Sequence, residues 1–323
     1  MARLLEIRSL DVSVKKNEKT FKIINNISFE IDEGEILGLA GESGCGKTIT
    51  ALSIPNLLPH NVKITNGNIL YKNKSLNSLT EKELSNIRGK DISIIFQDVK
   101  QSLNPLMKIG NQIMETLELG GCKNITENKN ICLDMLSILG FDDPKIIFNA
   151  YPHQLSGGMC QRVMTAIAVI RRPEFLIADE PSSSLDEESQ KKCLCLLMQM
   201  NREKKMSLLV ISHDLSIIRQ FCSRFLIMYA GRIIEEGPTS AFFSPLHPYT
   251  KALINTIPEK NKKNTKLENI PGLVPSIDEP LKGCPFAPRC KKAKSICFDL
   301  FPEAVYTKDR QKVYCYFPET ERQ

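Results

Sequence analysis

Gly41-Glu42-Ser43-Gly44-Cys45-Gly46-Lys47-Thr48 is the stretch that decides the fold. It satisfies G-x-x-x-x-G-K-[ST]. It lies between a short apolar strand, Glu35 to Ala40, and a helical pattern that starts at Thr48 and should stop near Pro55 or Pro59. A polyphosphate needs many donors converging on it. Glycines let successive backbone N–H groups turn inward as a nest at a helix N-terminus, where the dipole adds a favourable field. Lys47 then reaches the β- and γ-phosphates as a point charge, and the Thr48 hydroxyl can ligate Mg2+. A mere glycine turn is the competing reading, but the strand before and the helix after are what phosphate binding demands.

A second element complements the first. Phe175-Leu176-Ile177-Ala178-Asp179-Glu180 is an apolar strand ending in two carboxylates. Such an end can hold the first carboxylate near a metal, through water, and the second beside an attacking water. Asp179 is therefore the candidate metal-side carboxylate and Glu180 the candidate general base; a strand running into an acidic helix cap is the blander alternative. His213 follows another buried strand in Val210-Ile211-Ser212-His213-Asp214, where it could contact a γ-phosphate and link it to Glu180.

The rest of the chain supplies the frame. Leu4 to Val14 and Phe21 to Ile31 alternate apolar residues around a Lys-rich turn and predict a two-stranded hairpin. Asn68 to Tyr71, Ile92 to Phe96 and Ser207 to Ile211 are further strands, and Phe225 to Tyr229 with Arg232 to Glu236 form a late hairpin across Ala230-Gly231. From about residue 99 to 155 the texture is helical, notably in Ile109 to Leu119 and Ile131 to Leu139, and predicts an inserted helical subdomain. Val163 to Ile170 and Gln190 to Arg202 are also helical. Short apolar strands alternating with helices imply a mostly parallel sheet covered on both faces.

With 323 residues the chain allows one large domain with an appendage, or two. Its 42% hydrophobic and 25% charged residues exclude disorder, collagen and coiled coil as descriptions of the whole. No uncharged apolar run approaches the roughly 18 to 20 residues needed to cross a bilayer, and Arg3, Glu6 and Arg8 interrupt the segment where a secretory leader would be apolar, so the expected compartment is the cytosol. The net charge is +6, of which residues 259–323, with 13 Lys/Arg and 9 Asp/Glu, carry +4. No aromatic-interleaved basic platform accompanies it, which argues for solvation or contact near a membrane face and against nucleic acid.

Leu155-Ser156-Gly157-Gly158-Met159-Cys160-Gln161-Arg162 resembles the signature motif of ATP-binding-cassette (ABC) ATPases. Ser156, Gly157 and Gly158 open a helix whose N–H groups and hydroxyl face an anion. The phosphate loop already has its own nucleotide, so this second site calls for another. In the family the signature of one subunit closes over the ATP of its partner, which implies a second ATPase, identical or related. Gln97 in Phe96-Gln97-Asp98 looks like the Q-loop residue, near metal or water at the hinge into the helical subdomain; with Thr48 and Asp179 it completes the implied Mg2+ set. Ser183-Ser184-Leu185-Asp186 looks like the D-loop, although Ser184 stands where most members carry Ala. Phe21 is a candidate adenine-stacking aromatic, with a core role as the alternative, and His153 is read as structural.

The resemblance covers about residues 4 to 245, giving an ABC nucleotide-binding domain over 1–245 and an extension over 246–323. A Lys/Asn-rich stretch, Glu259 to Glu268, looks like a linker. On its two sides, Ser244 to Leu253 before it and Gly283-Cys284-Pro285-Phe286-Ala287-Pro288-Arg289-Cys290 after it look like the C-terminal extension of oligopeptide/dipeptide importer ATPases. Cys284, Cys290, Cys297 and Cys315, spaced C-x5-C-x6-C-x17-C, match that family's four-cysteine pattern. Four thiolates can cross-link a segment without apolar periodicity through a metal; zinc, a [4Fe–4S] cluster and unliganded thiols are the choices, and the resemblance favours the cluster. The other seven cysteines are expected to be small buried hydrophobes.

The function so implied is ATP hydrolysis coupled to peptide import. ATP and Mg2+ act at the core, two membrane permease subunits dock on the helical subdomain, and a solute-binding protein is an indirect partner. The implied location is peripheral, at the cytoplasmic face of the cell membrane. An importer of nickel or another metal chelate, and a soluble regulatory or redox-sensing ABC protein, are the alternatives.

Overall fold

The structure, a computed structural model, describes residues 2–181, 185–256, 270–279 and 282–319. The candidate D-loop residues Ser183 and Ser184 and the expected linker Glu259 to Glu268 lie outside these. The chain forms two compact units, one of residues 3–31, 36–78 and 212–323, the other of 1–2, 32–35 and 79–211.

The first unit begins with an antiparallel sheet in which Arg3–Lys16 lies between Lys19–Asp32 and Val62–Tyr71, with Lys74–Ser75 at the edge. Buried Leu5 and Ile7 and then buried Leu10 and Val12 show the inward face changing parity within one strand. The register against Val62–Tyr71 shifts between Arg8 and Asp11, where Ser9 sits at φ +47°, and shifts back between Asp11 and Val12, so each strand absorbs one extra residue at this irregularity. The expected hairpin is present, and Asn68 to Tyr71 proves to be the end of a ten-residue strand.

In the same unit Ile36–Ala40 runs parallel to Arg224–Tyr229, which turns through Ala230 and Gly231 into Arg232–Pro238. Positive φ at both turn residues, +43° and +77°, suits the twist of a two-residue hairpin. The tail beyond residue 245 carries strand structure that its composition does not announce: Lys312–Val313 pairs with Arg232–Pro238, and Val305–Tyr306 with Lys312–Val313. Two-residue strands are too short for a period to register; they exist because an existing edge offers partners.

The second unit holds three parallel strands, Ile92–Ile95, Phe175–Asp179 and Ser207–Ile211, with Phe175–Asp179 in the middle. Every residue of the last two is buried, as strands covered on both faces require. Between the first two strands come Ile109–Leu119, Ile125–Ile138 and Pro144–Asn149, whose apolar faces bury Ile113, Leu117, Cys132, Leu136 and Phe148. The helix expected from Ile131 starts six residues earlier. Its polar first turns need no apolar stripe because Asn124 caps them, its side chain accepting from Glu127 N–H at 3.2 Å. Of the seven remaining cysteines, Cys45, Cys132, Cys160, Cys193 and Cys222 are buried; Cys122 and Cys195 are exposed, contrary to expectation, because they fall at a helix-end turn and on the outer face of Glu187–Lys204.

Candidate functional site

In the first unit the loop 41–46 leaves the C-terminal end of Ile36–Ala40 and enters the helix Lys47–Ser53. Its glycines carry φ of +153°, +78° and +108° at Gly41, Gly44 and Gly46, a backbone that turns N–H groups to one side. At Gly41 the space is as demanding as the angle: a Cβ there would lie 2.1 Å from the Met228 carbonyl oxygen. Lys47 is buried, and its ammonium donates to the carbonyls of Gly41 at 2.8 Å and Glu42 at 3.0 Å, so the cation is held inside the loop. Thr48 is half-buried and Ser43 exposed at the loop's rim. Ser212 N–H donates to Leu39 O at 3.2 Å, which sets the exposed His213 beside the strand that feeds the loop.

From Gly44 a cavity of about 450 Å3 extends to Phe21 and to residues 274–279 of the tail. Phe21, half-buried on the strand Lys19–Asp32, thus faces a cavity shared with the phosphate loop, and the core alternative recedes. The tail's share in this wall was not legible in the sequence, because residues 274–279 carry no motif and reach the cavity only through the fold.

In the second unit Ile95 pairs with Ala178 and Asp179 with Ile211, so Gln97, Asp179 and Glu180 leave neighbouring parallel strands at their C-terminal ends. Ligands in parallel α/β sheets bind at such ends. Asp179 and Glu180 are 2% and 7% exposed, whereas Gln97 is exposed. Glu180 holds φ +53°, an uncommon conformation for a side chain of this size, and is secured by its N–H donating to Ile211 O at 3.0 Å. Ser156 caps the helix Gly157–Val169 through Met159 N–H at 3.2 Å, and Ser156 is exposed, leaving that helix start open to a ligand. Arg162 fixes the same helix, donating to the carbonyls of Leu139 and Gly140 at 3.3 and 2.8 Å. Asp186 caps Glu187–Lys204, accepting from Ser189 N–H at 2.9 Å, a bond that holds its carboxyl below the usual carboxylate range. Thr48 belongs to the first unit, and Gln97 and Asp179 to the second. His153 is exposed and stacks on Tyr151 at 5.6 Å.

Cys284, Cys290, Cys297 and Cys315 line one small cavity of about 20 Å3 together with His247. Gly283 permits the closure: a Cβ there would be 2.1 Å from the Cys297 carbonyl, and Cys284 N–H donates to that carbonyl at 2.8 Å. Burial pushes the Cys284 thiol up to about 12 and the Cys315 thiol up to about 11. Among the described residues no three His, Cys, Asp or Glu side chains are grouped as a metal ion requires. The four cysteines expected as a metal centre thus converge on one cavity, without the close grouping of a formed ligand shell. His247 is fully buried and its pKa falls to about 3; its Nδ1 accepts from Tyr249 N–H at 3.0 Å, so the neutral ring carries its proton on Nε2, which has no partner.

Among the described residues no helix is long and apolar enough to cross a membrane. The ABC transporter family matches residues 24–183, and the oligopeptide/dipeptide transporter C-terminal region matches residues 234–297. The chain is 40% identical to the probable peptide ABC transporter ATP-binding protein y4tR of Sinorhizobium fredii, over 93% of this chain and 90% of that one. It is 39% identical to the dipeptide transport ATP-binding protein DppD of Bacillus subtilis, over 98% and 95%. Among solved structures, the dimeric post-hydrolysis state of the ATP-binding cassette MJ0796, bound to ADP and Pi, superposes with a TM-score of 0.68 at 28% identity, covering 73% of this chain and 99% of that one.

Proposed function

This chain belongs to the ABC transporter ATPases, in the dipeptide and oligopeptide branch, and on that premise we propose how its residues perform the work of that family. It is the ATP-hydrolysing subunit of a peptide ABC importer. The loop Gly41–Thr48 holds the triphosphate: backbone N–H groups and Lys47 take the phosphate oxygens, and Phe21 contacts the base in the adjoining cavity. Thr48, Asp179 and Gln97 would hold Mg2+, which when bound neutralises charge on the phosphates. Glu180 accepts a proton from the attacking water as its oxygen bonds to the γ-phosphorus and the bond to the β–γ bridging oxygen breaks, leaving ADP and phosphate. His213 contacts the γ-phosphate.

Ser156, Gly157, Gly158 and Asp186 serve the nucleotide of a partner ATPase, so that two chains close on two ATP molecules. Two permease subunits at the cytoplasmic face of the membrane receive that motion, and a solute-binding protein delivers the peptide. The observation that carries the reading is the phosphate loop itself, with its ammonium held inside and the Phe21 cavity opening from its rim. Glu180→Gln in the assembled transporter should bind ATP normally while hydrolysis falls about 10²- to 10⁴-fold, the scale of a lost general base, and peptide uptake falls with it. Hydrolysis and uptake at normal rates would overturn the assignment.

At the four cysteines we propose an iron–sulfur cluster. Four thiols on one cavity are the donor set of [4Fe–4S], and a buried N–H with no partner at His247 is suited to a cluster sulfur. Bound there, the cluster would supply a covalent cross-link and an electron-transfer centre. Protein purified anaerobically should be brown and contain iron and acid-labile sulfide; a colourless sample with stoichiometric zinc would refute it.

A further inference from the structure

Arg289, one residue before Cys290, makes bonds that neither ATP chemistry nor cysteine ligation calls for. Its guanidinium donates to both carboxylate oxygens of Glu42, at 2.6 and 3.1 Å, inside the phosphate loop. It also donates to the Tyr229 hydroxyl at 3.0 Å, to Pro271 O at 2.8 Å and to Ile270 O at 3.2 Å. These five bonds use all five N–H donors of the group. The side chain is only 5% exposed and Glu42 25%, so this forked pair is shielded from the solvent that weakens surface pairs.

Glu42 is held at three points. Its carboxylate takes Arg289, its N–H donates to the Tyr249 hydroxyl at 2.9 Å, and its carbonyl accepts from Lys47, the phosphate-binding ammonium. Tyr229, Tyr249 and Phe286 pack edge to face or tilted, with centroids 4.6 to 5.4 Å apart, and Phe286 lines the cysteine cavity. The carbonyls of residues 270 and 271 that Arg289 holds precede the segment 274–279, which walls the Phe21 cavity. One side chain therefore ties the phosphate loop, the wall of the base cavity and the cysteine segment together, all within one compact unit.

We propose that Arg289 is a positioning residue for ATP binding: through Glu42 it holds the phosphate loop in its receptive shape, and so makes nucleotide affinity answer to the conformation of the cysteine segment. The proposal rests on the nucleotide role of the loop. Arg289 touches no reacting atom, so its effect is expected in ground-state affinity, with turnover at saturating ATP little changed.

The test is a double-mutant cycle on the full chain assembled with its transporter partners, reading ATP dissociation constant, KM and kcat. Arg289→Ala should weaken ATP binding and raise KM by about tenfold, equivalent to about 1.4 kcal/mol, with kcat within about twofold. In a Glu42→Ala background the same substitution should change affinity less than about twofold, and Arg289→Lys should recover part of the loss. Glu42→Gln, which keeps the shape and removes the charge, should reproduce the Arg289→Ala shift and serves if that variant does not fold. Equal losses from Arg289→Ala with and without Glu42, or unchanged ATP affinity in folded Arg289→Ala and Glu42→Gln proteins, would overturn the proposal. A wild-type transporter that bound no ATP would instead sink the nucleotide reading on which it stands.

Discussion

The phosphate loop and the cysteine segment use the same physical device for different ends. Gly41 lets a strand end pass against the Met228 carbonyl, and Gly283 lets a tail pass against the Cys297 carbonyl; at either place a Cβ would stand 2.1 Å from a backbone oxygen. The loop is framed by regular structure on both sides, the strand Ile36–Ala40 and the helix Lys47–Ser53. The cysteine segment is itself built of the single turns Ala287–Arg289 and Ser295–Asp299 and two-residue strands. A tight approach inside a rigid frame fixes a geometry for chemistry. The same approach in a frame of single turns fixes mainly which segments meet, and leaves their stability to staples such as Arg289 and any metal the thiols bind.

That contrast can be broken from either side. The largest effect is expected at Gly41→Ala, where the added methyl meets backbone and the φ of +153° is lost to any other residue. Misplacing phosphate donors by even 1 Å costs about 10²-fold, so ATP turnover should fall at least that far while the far-ultraviolet circular dichroism stays native. Gly283→Ala should act on stability: overpacking of this kind costs about 1–3 kcal/mol, read as a lower urea midpoint. If Gly283→Ala cost as much turnover as Gly41→Ala, the two regions would not differ in the way described.

A smaller effect tests the buried imidazole between them. His247 has its pKa pulled down to about 3 by burial, from an ordinary 6.5. Between those values the unfolded chain binds a proton that the folded chain refuses, so the fold loses stability as pH falls below 6.5, by at most about 1.4 kcal/mol per pH unit, and keeps it fully above. Glu235, pushed up by burial, acts in the opposite sense over the acid end of this range, and it is present in both proteins of the comparison. His247→Asn retains an acceptor for Tyr249 N–H and removes the titration. Its urea-unfolding free energy should therefore drop less than that of the wild type between pH 7 and pH 5.5, by about 1 kcal/mol. Equal drops would show that His247 does not titrate as its burial demands.

Legibility followed the range of the forces. The loop Gly41–Thr48, the strand Phe175–Asp179 with Glu180 at its end and the helix opened by Ser156 could be read because each function needs particular residues at short spacing, and local backbone geometry enforces that spacing. The helix Ile109–Leu119 was legible to the residue because its apolar stripe is intact. The first turns of Ile125–Ile138 were hidden because they are polar and held by a cap. Phe21 was ambiguous: an aromatic on a strand has the same pattern whether it faces a core or a cavity.

By itself the sequence determined the family, the phosphate loop, the carboxylate pair and the four-cysteine spacing, since these are set by contacts between near neighbours in the chain. Only the tertiary structure decided that Arg289 meets Glu42 across 247 residues, that the tail adds strands to the edge at Arg232–Pro238, and that residues 274–279 wall the cavity beside Gly44. Such contacts depend on where the folded chain brings distant segments together, and no local pattern of residue types encodes that meeting.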